Sequence, residues 1–168
     1  MRQDRAPLQR FWDFSISVYA HKEVEAACLE LQRHGLSVNV ALWIVWTCLY
    51  GRDPRAALGQ AIDQSALFGA QVIQPLRQAR AGLKPPPGFI EDEDGQALRK
   101  SILSVELEAE RLEQTSLERL SWVCPEHQSN NALAELALGC LNTYAERLGV
   151  TAPTTKFIEV IFSTAKIV

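Results

Sequence analysis

Leu36-Ser37-Val38-Asn39-Val40-Ala41-Leu42-Trp43-Ile44-Val45-Trp46-Thr47-Cys48-Leu49-Tyr50 is the most apolar run of the chain, and its reading decides the fold. Val38, Ala41, Leu42, Val45, Trp46 and Leu49 share one helical face, while Trp43, Ile44 and Tyr50 occupy others. A helix apolar nearly all round belongs at the centre of a protein. Its β-branched residues would also suit a strand, but no alternation of period two runs through Ala41, Leu42 and the two tryptophans. The run is shorter than the roughly 20 residues that cross a bilayer, and Asn39 stands near its start, so no membrane insertion is expected. Ser37 is placed to cap this helix.

Helical spacing continues on both sides. Leu8, Phe11, Trp12, Ser15 and Tyr19 recur at intervals of three and four after Pro7, which suits a first helical turn. Val24, Ala27, Cys28 and Leu31 predict a helix over about 22–34, stopped by Gly35. Asp53-Pro54 reads as a cap and first turn of a long helix whose apolar series runs from Leu58 to Leu83. Pro75 cannot donate an i→i−4 bond, so a bend is expected near Gln71 to Pro75. Pro85-Pro86-Pro87-Gly88 ends that helix and makes 84–90 a connector over the outside of the bundle.

The acidic run Glu91 to Asp94 favours a new helix start. Leu98, Ile102, Val105, Leu112 and Leu120 then predict a helix over about 96–122. Further helices are expected from about Asn130 to Leu148, ended by Gly149, and over 154–168, the last with strand character in its final residues. The whole is an all-α, single-domain bundle of about six or seven helices spanning 1–168.

Composition agrees with a packed core. The chain has 168 residues, 47% hydrophobic and 22% charged, with a formal net charge of −3. Such a chain buries enough surface to fold without a disulfide or metal. The acidic balance disfavours a nucleic acid partner unless a local basic patch exists. Cys28, Cys48, Cys124 and Cys140 lack paired zinc or redox spacing, and reduced, buried thiols are expected. The polar N-terminus has no apolar signal core, which predicts a cytoplasmic protein.

Phe11-Trp12-x-Phe14-Ser15-x-x-Val18-Tyr19, Ala26-Ala27-Cys28-Leu29-x-Leu31-Gln32, Val38-Asn39-x-x-Leu42-x-x-x-Trp46 and Val72-Ile73-x-Pro75-Leu76-Arg77-x-x-Arg80-x-x-Leu83-Lys84 together resemble an uncharacterised bacterial family of unknown function. The resemblance covers about the first half of the chain and implies no activity.

Arg77, Arg80 and Lys84 fall at i, i+3 and i+7, one helical face that would suit an anion or an acidic partner. Glu91 to Asp94 offers an internal partner, and solvation alone would also explain the cations. Trp12, Gln32, Asn39, Trp43 and Trp46 are candidates to line a cavity, although aromatics at helical spacing are commonly core. Gln32 and Asn39, buried, would need partners. Asp13 and His21 have no recognisable substrate setting. Glu106, Glu110 and Glu113 with Cys124 and His127 do not form the Glu and His pattern of di-metal bundles, and a solvated charged face is the plainer reading. Phosphate loops and serine elbows are absent. The sequence therefore points to no catalytic residue, metal or cofactor. It suggests a noncatalytic helical interaction or adaptor protein, self-associating as a homodimer or binding another protein. The alternative is a small-molecule or anion-binding protein, or an enzyme, which a deep pocket would favour.

Overall fold

Every residue from Val40 to Cys48 is buried, which makes this helix the axis of the molecule. The computed structural model describes residues 9–127 and 132–165. Their helices are α1 (Phe11–Tyr19), α2 (Lys22–Arg33), α3 (Val38–Leu49), α4 (Leu58–Phe68), α5 (Gln74–Ala81), α6 (Asp92–Ser121), α7 (Leu133–Leu148) and α8 (Thr154–Ala165). The expected helix starts at Pro7 and Asn130, and the end at Val168, lie outside the described residues. A turn of 3-10 helix, Pro54–Ala56, precedes α4. The described residues form no strand, only a single antiparallel bridge between Arg52 and Glu126.

α3 packs against α1, α2, α4, α6, α7 and α8. Its entry angle is set locally. Gly35, at φ 89°, supplies the left-handed residue that ends α2, and Leu36 N–H returns to Leu31 O at 3.2 Å. This closes the α2 carbonyls and turns the chain. Ser37 Oγ then accepts from Val40 N–H at 3.4 Å, capping α3. Trp46 lies in a small aromatic stack, 5.4 Å from Phe11 and 4.8 Å from Tyr50 between ring centroids.

α4 and α5 form one continuous rod through a π-helical turn, Gly69–Ile73. The helix therefore widens where a bend was expected. Pro75 has no N–H for Gln71 O, and its ring crowds that carbonyl, so a wider turn absorbs the mismatch without ending the helix. The connector then folds back over α6. A Cβ on Gly95 would stand 2.7 Å from Pro86 Cβ, so the prolines sit directly on the first turns of α6.

α6 is 30 residues long, and its sides are not arranged as hydropathy suggests. Leu98, Val105 and Leu112 are exposed, whereas Glu106, Glu113, Gln114 and Glu118 are buried. The solvated charged face expected at Glu106 to Glu113 is thus overturned at Glu106 and Glu113. Their neighbours across the bundle are polar side chains of α3, α4 and α5, which makes the inward position tenable. Among the described residues no helix is long and apolar enough to cross a membrane.

Candidate ligand cavity

A half-open cavity of about 880 Å³ lies between α1, the α2–α3 turn, the α4–π–α5 rod, α6 and the end of α7. Sites for small molecules commonly enclose about 300–1,000 Å³, so it has the size of a binding site. Leu42, Ile62 and Ile73 give it apolar depth, and exposed Ile16, Tyr19, Leu107 and Leu148 stand around its mouth. Trp12 also lines it, with the Arg111 guanidinium 5.9 Å from the ring centroid.

The wall carries one connected polar cluster. Glu113 accepts from Asn39 Nδ2 at 2.7 Å and from the Ser65 hydroxyl. Asn39 Oδ1 accepts from Gln114 Nε2 at 2.8 Å. Ser65 Oγ also lies 3.2 Å from Ser37 Oγ, and Ser37 N–H donates to the Tyr144 hydroxyl at 3.0 Å. Burial pushes the Glu113 carboxyl up from its ordinary range, assisted by Glu110 and opposed by the two donors and by Arg77. Burial likewise pushes the Tyr144 hydroxyl up. Among the described residues, Ser15 Oγ and Gln114 Oε1, both on wall residues, are buried without a hydrogen-bond partner.

Above this cluster an ion-pair network clamps α5 to α6. Arg77 reaches Glu106 at 3.2 Å and Glu110 at 2.6 Å, and Arg80 reaches Glu106 at 2.7 Å. α5 buries none of its residues, so these contacts are a principal tie to the bundle. At the other end of α6, Glu118 accepts from Phe11 N–H at 2.8 Å and pairs with Arg10 at 2.7 Å. A distant carboxylate thereby closes the start of α1, where no local cap exists.

Several residues singled out by sequence are brought together here. Trp12, Gln32 and Asn39 line the cavity. Trp43 and Trp46 do not. Both belong to the core, where Trp43 is fully buried with its indole N–H unpartnered among the described residues, and Trp46 Nε1 donates to Gln9 O. Apolar surroundings on every side of α3 draw these rings inward. Arg77 and Arg80 meet Glu106 and Glu110, not the acidic run Glu91 to Asp94, and Lys84 is exposed beyond α5. Cys124 and His127 lie away from the glutamates, against the Gly51 to Asp53 loop, with His127 N–H donating to Gly51 O at 2.7 Å. No three His, Cys, Asp or Glu side chains among the described residues converge as metal ligands would.

Gln114, Ser65 and Tyr144 were missed by sequence reasoning, and Glu113 was weighed only as a metal ligand and read as solvated. Gln114 and Tyr144 carry helical spacing but no chemical motif, and their roles come from partners far away in the chain.

The fold and site define an all-α bundle with a cavity built around a buried glutamate. The chain belongs to DUF2390, a family of proteins of unknown function, which it matches over residues 10–117. That span runs from α1 into α6 and contains every cavity residue named above except Tyr144 and Leu148. No curated protein and no solved structure matches the chain.

Proposed function

We propose that this chain is a small-molecule-binding protein, with its ligand held in the cavity between α1, α3, the α4–π–α5 rod and α6. The observation that carries this reading is the cavity itself, about 880 Å³ with an apolar interior and, in its wall, a polar cluster beside the Arg77–Glu110 ion pair. A few placed polar groups in an apolar hollow orient a ligand while burial supplies affinity. The π turn supports the same reading, because Gly69, Ala70 and Ile73 of that segment line the cavity, and such turns recur at functional sites. The four free, buried cysteines fit a reducing, cytoplasmic setting.

A fragment screen read by amide correlation spectroscopy tests the reading. Bound fragments should shift the amides of Leu42, Ser65, Ile73 and Gln114 together. Hits that shift only amides elsewhere overturn it.

One observation favours a second reading, self-association. Leu98, Val105 and Leu112 lie at seven-residue intervals on the exposed side of α6, each more than half exposed, an apolar stripe of the kind a partner helix covers. Analytical ultracentrifugation would show a dimer that Val105→Glu with Leu112→Glu converts to monomer; a wild-type monomer at every concentration removes this reading.

A further inference from the structure

Four carboxylates on α6 are turned towards the bundle, and three of them have cations. Arg77 and Arg80 hold Glu106, Arg77 holds Glu110, and Arg10 holds Glu118. Glu113 alone is held only by neutral groups among the described residues, the Asn39 amide and the Ser65 hydroxyl. It lines the cavity at 5% exposure, beside Glu110, whose charge Arg77 already meets. Removing an ion from water is costly unless a counter-charge replaces the lost hydration.

The amides beside it point the same way. A carboxylate can only accept, so Asn39 presents Nδ2 to Glu113 and leaves Oδ1 towards Gln114. Gln114 must then present Nε2 to Asn39. What remains is the Gln114 carbonyl oxygen, a buried acceptor without a donor. The cluster is thus rich in acceptors and short of donors. Arg77, the cation on the cavity wall, has its Nε and one terminal nitrogen engaged by Glu106 and Glu110.

We infer that the cavity takes an organic cation, an ammonium head on a compact apolar body, with the head received by Glu113 and Gln114 Oε1 and the body against Trp12, Leu42, Ile62 and Ile73. This rests on the small-molecule reading above and adds the ligand's charge to it. The ammonium group supplies both the missing counter-charge and the missing donor. An anion would meet a buried carboxylate whose direct partners are all neutral, and a neutral body would leave Glu113 as it stands. Because burial raises the Glu113 carboxyl, an incoming cation also favours its ionised form.

Three probes of similar shape and different charge test the inference on the full chain: tryptamine, 3-methylindole and indole-3-acetate, titrated by calorimetry and amide spectroscopy. Tryptamine should bind at least about tenfold more tightly than either of the others, the scale of a hydrogen bond to a charged group. Glu113→Gln should remove that advantage, so that tryptamine binds the variant no more tightly than 3-methylindole does. If 3-methylindole or indole-3-acetate equals or exceeds tryptamine while shifting the cavity amides, the cation inference fails and the small-molecule reading stands. If no probe shifts those amides, the cation inference falls, and the fragment screen decides the broader reading separately. Should Glu113→Gln fail to fold, Gln114→Leu provides the second variant, and the ordering of probes on the wild-type chain still decides.

Discussion

Asn39 of α3 donates Nδ2 to Glu113 Oε2 of α6 at 2.7 Å, joining the first turn of the central helix to the middle of the longest one. The same carboxamide accepts from Gln114, so two consecutive residues of α6 grip one side chain. Apolar contacts alone allow helices to slide with little change in buried area. A polar clasp fixes one axial position, because a slipped register would leave a buried carboxylate and two amides without partners. The clasp has a cost as well as a use, since Glu113 gives up water for neutral donors.

That cost makes stability depend on pH in a defined direction. Burial raises the folded Glu113 carboxyl above its ordinary value of 4.5. In the folded chain it therefore keeps a proton that the unfolded chain has released, and stability falls as pH rises from the ordinary value through the folded one. The charged and titratable groups facing it are Glu110 from α6, Arg77 from α5 and Tyr144 from α7, while α3 and α4 present Asn39 and Ser65. Glu113→Gln removes this proton linkage. Urea unfolding of both proteins over about pH 4 to 9 should show the variant gaining on the wild type as pH rises through that window, then a constant difference above it. A difference that does not change with pH would assign the titration elsewhere.

Arg80 and Glu106 carry the second prediction. Glu106 is 5% exposed and is shared by two arginines that are themselves partly exposed. Removal of Arg80 leaves Arg77 to compensate, so the single variant understates the pair. A double-mutant cycle over Arg80→Ala and Glu106→Ala, measured by urea unfolding, should give a coupling of about 0.5–3 kcal/mol, the range for residues in one salt-bridge network. A coupling near zero would mean that Arg80 does not help to hold α5, leaving the Arg77 pair with Glu110 and packing to do so.

The central helix was legible because α3 is apolar around its whole circumference, so no error of phase could misplace it. Pro75 was legible because it can donate no i→i−4 bond whatever surrounds it, and Gly35 because it falls where the apolar spacing of α2 stops and readily takes the left-handed conformation that ends a helix. α6 was not. It carries two candidate inward sides, and hydropathy selects Leu98, Val105 and Leu112 over Glu106, Glu113 and Glu118. The carboxylates win burial because Arg77, Arg80, Arg10, Asn39 and Ser65 await them on other helices. Those partners are set by tertiary packing, which helical spacing does not encode. Asn39 could be singled out as a polar residue opening an apolar helix, but nothing local named Glu113 as its partner. Trp43 and Trp46 were drawn towards a cavity by their ring size, whereas the all-round burial of α3 left them in the core.

The third prediction concerns the thiols. Cys28, Cys48, Cys124 and Cys140 are free and all 2% exposed or less. Burial pushes Cys28 and Cys140 up to about 12, and it raises Cys48 and Cys124 as well. The thiolate is the reactive species, and a thiol titrating near 12 is only about one part in ten thousand ionised at pH 8. Access is closed too, so the two effects act in the same direction. Iodoacetamide added to the native protein at about pH 8 should leave it unlabelled on the timescale that fully alkylates a free cysteine peptide. After urea unfolding, intact mass should show all four sites modified. Rapid labelling of one cysteine in the native state would reveal local opening at that position, and Cys124, in the turn after α6 and the most exposed of the four, is where it is expected first. Protection of all four would mean that their role is to fill the core.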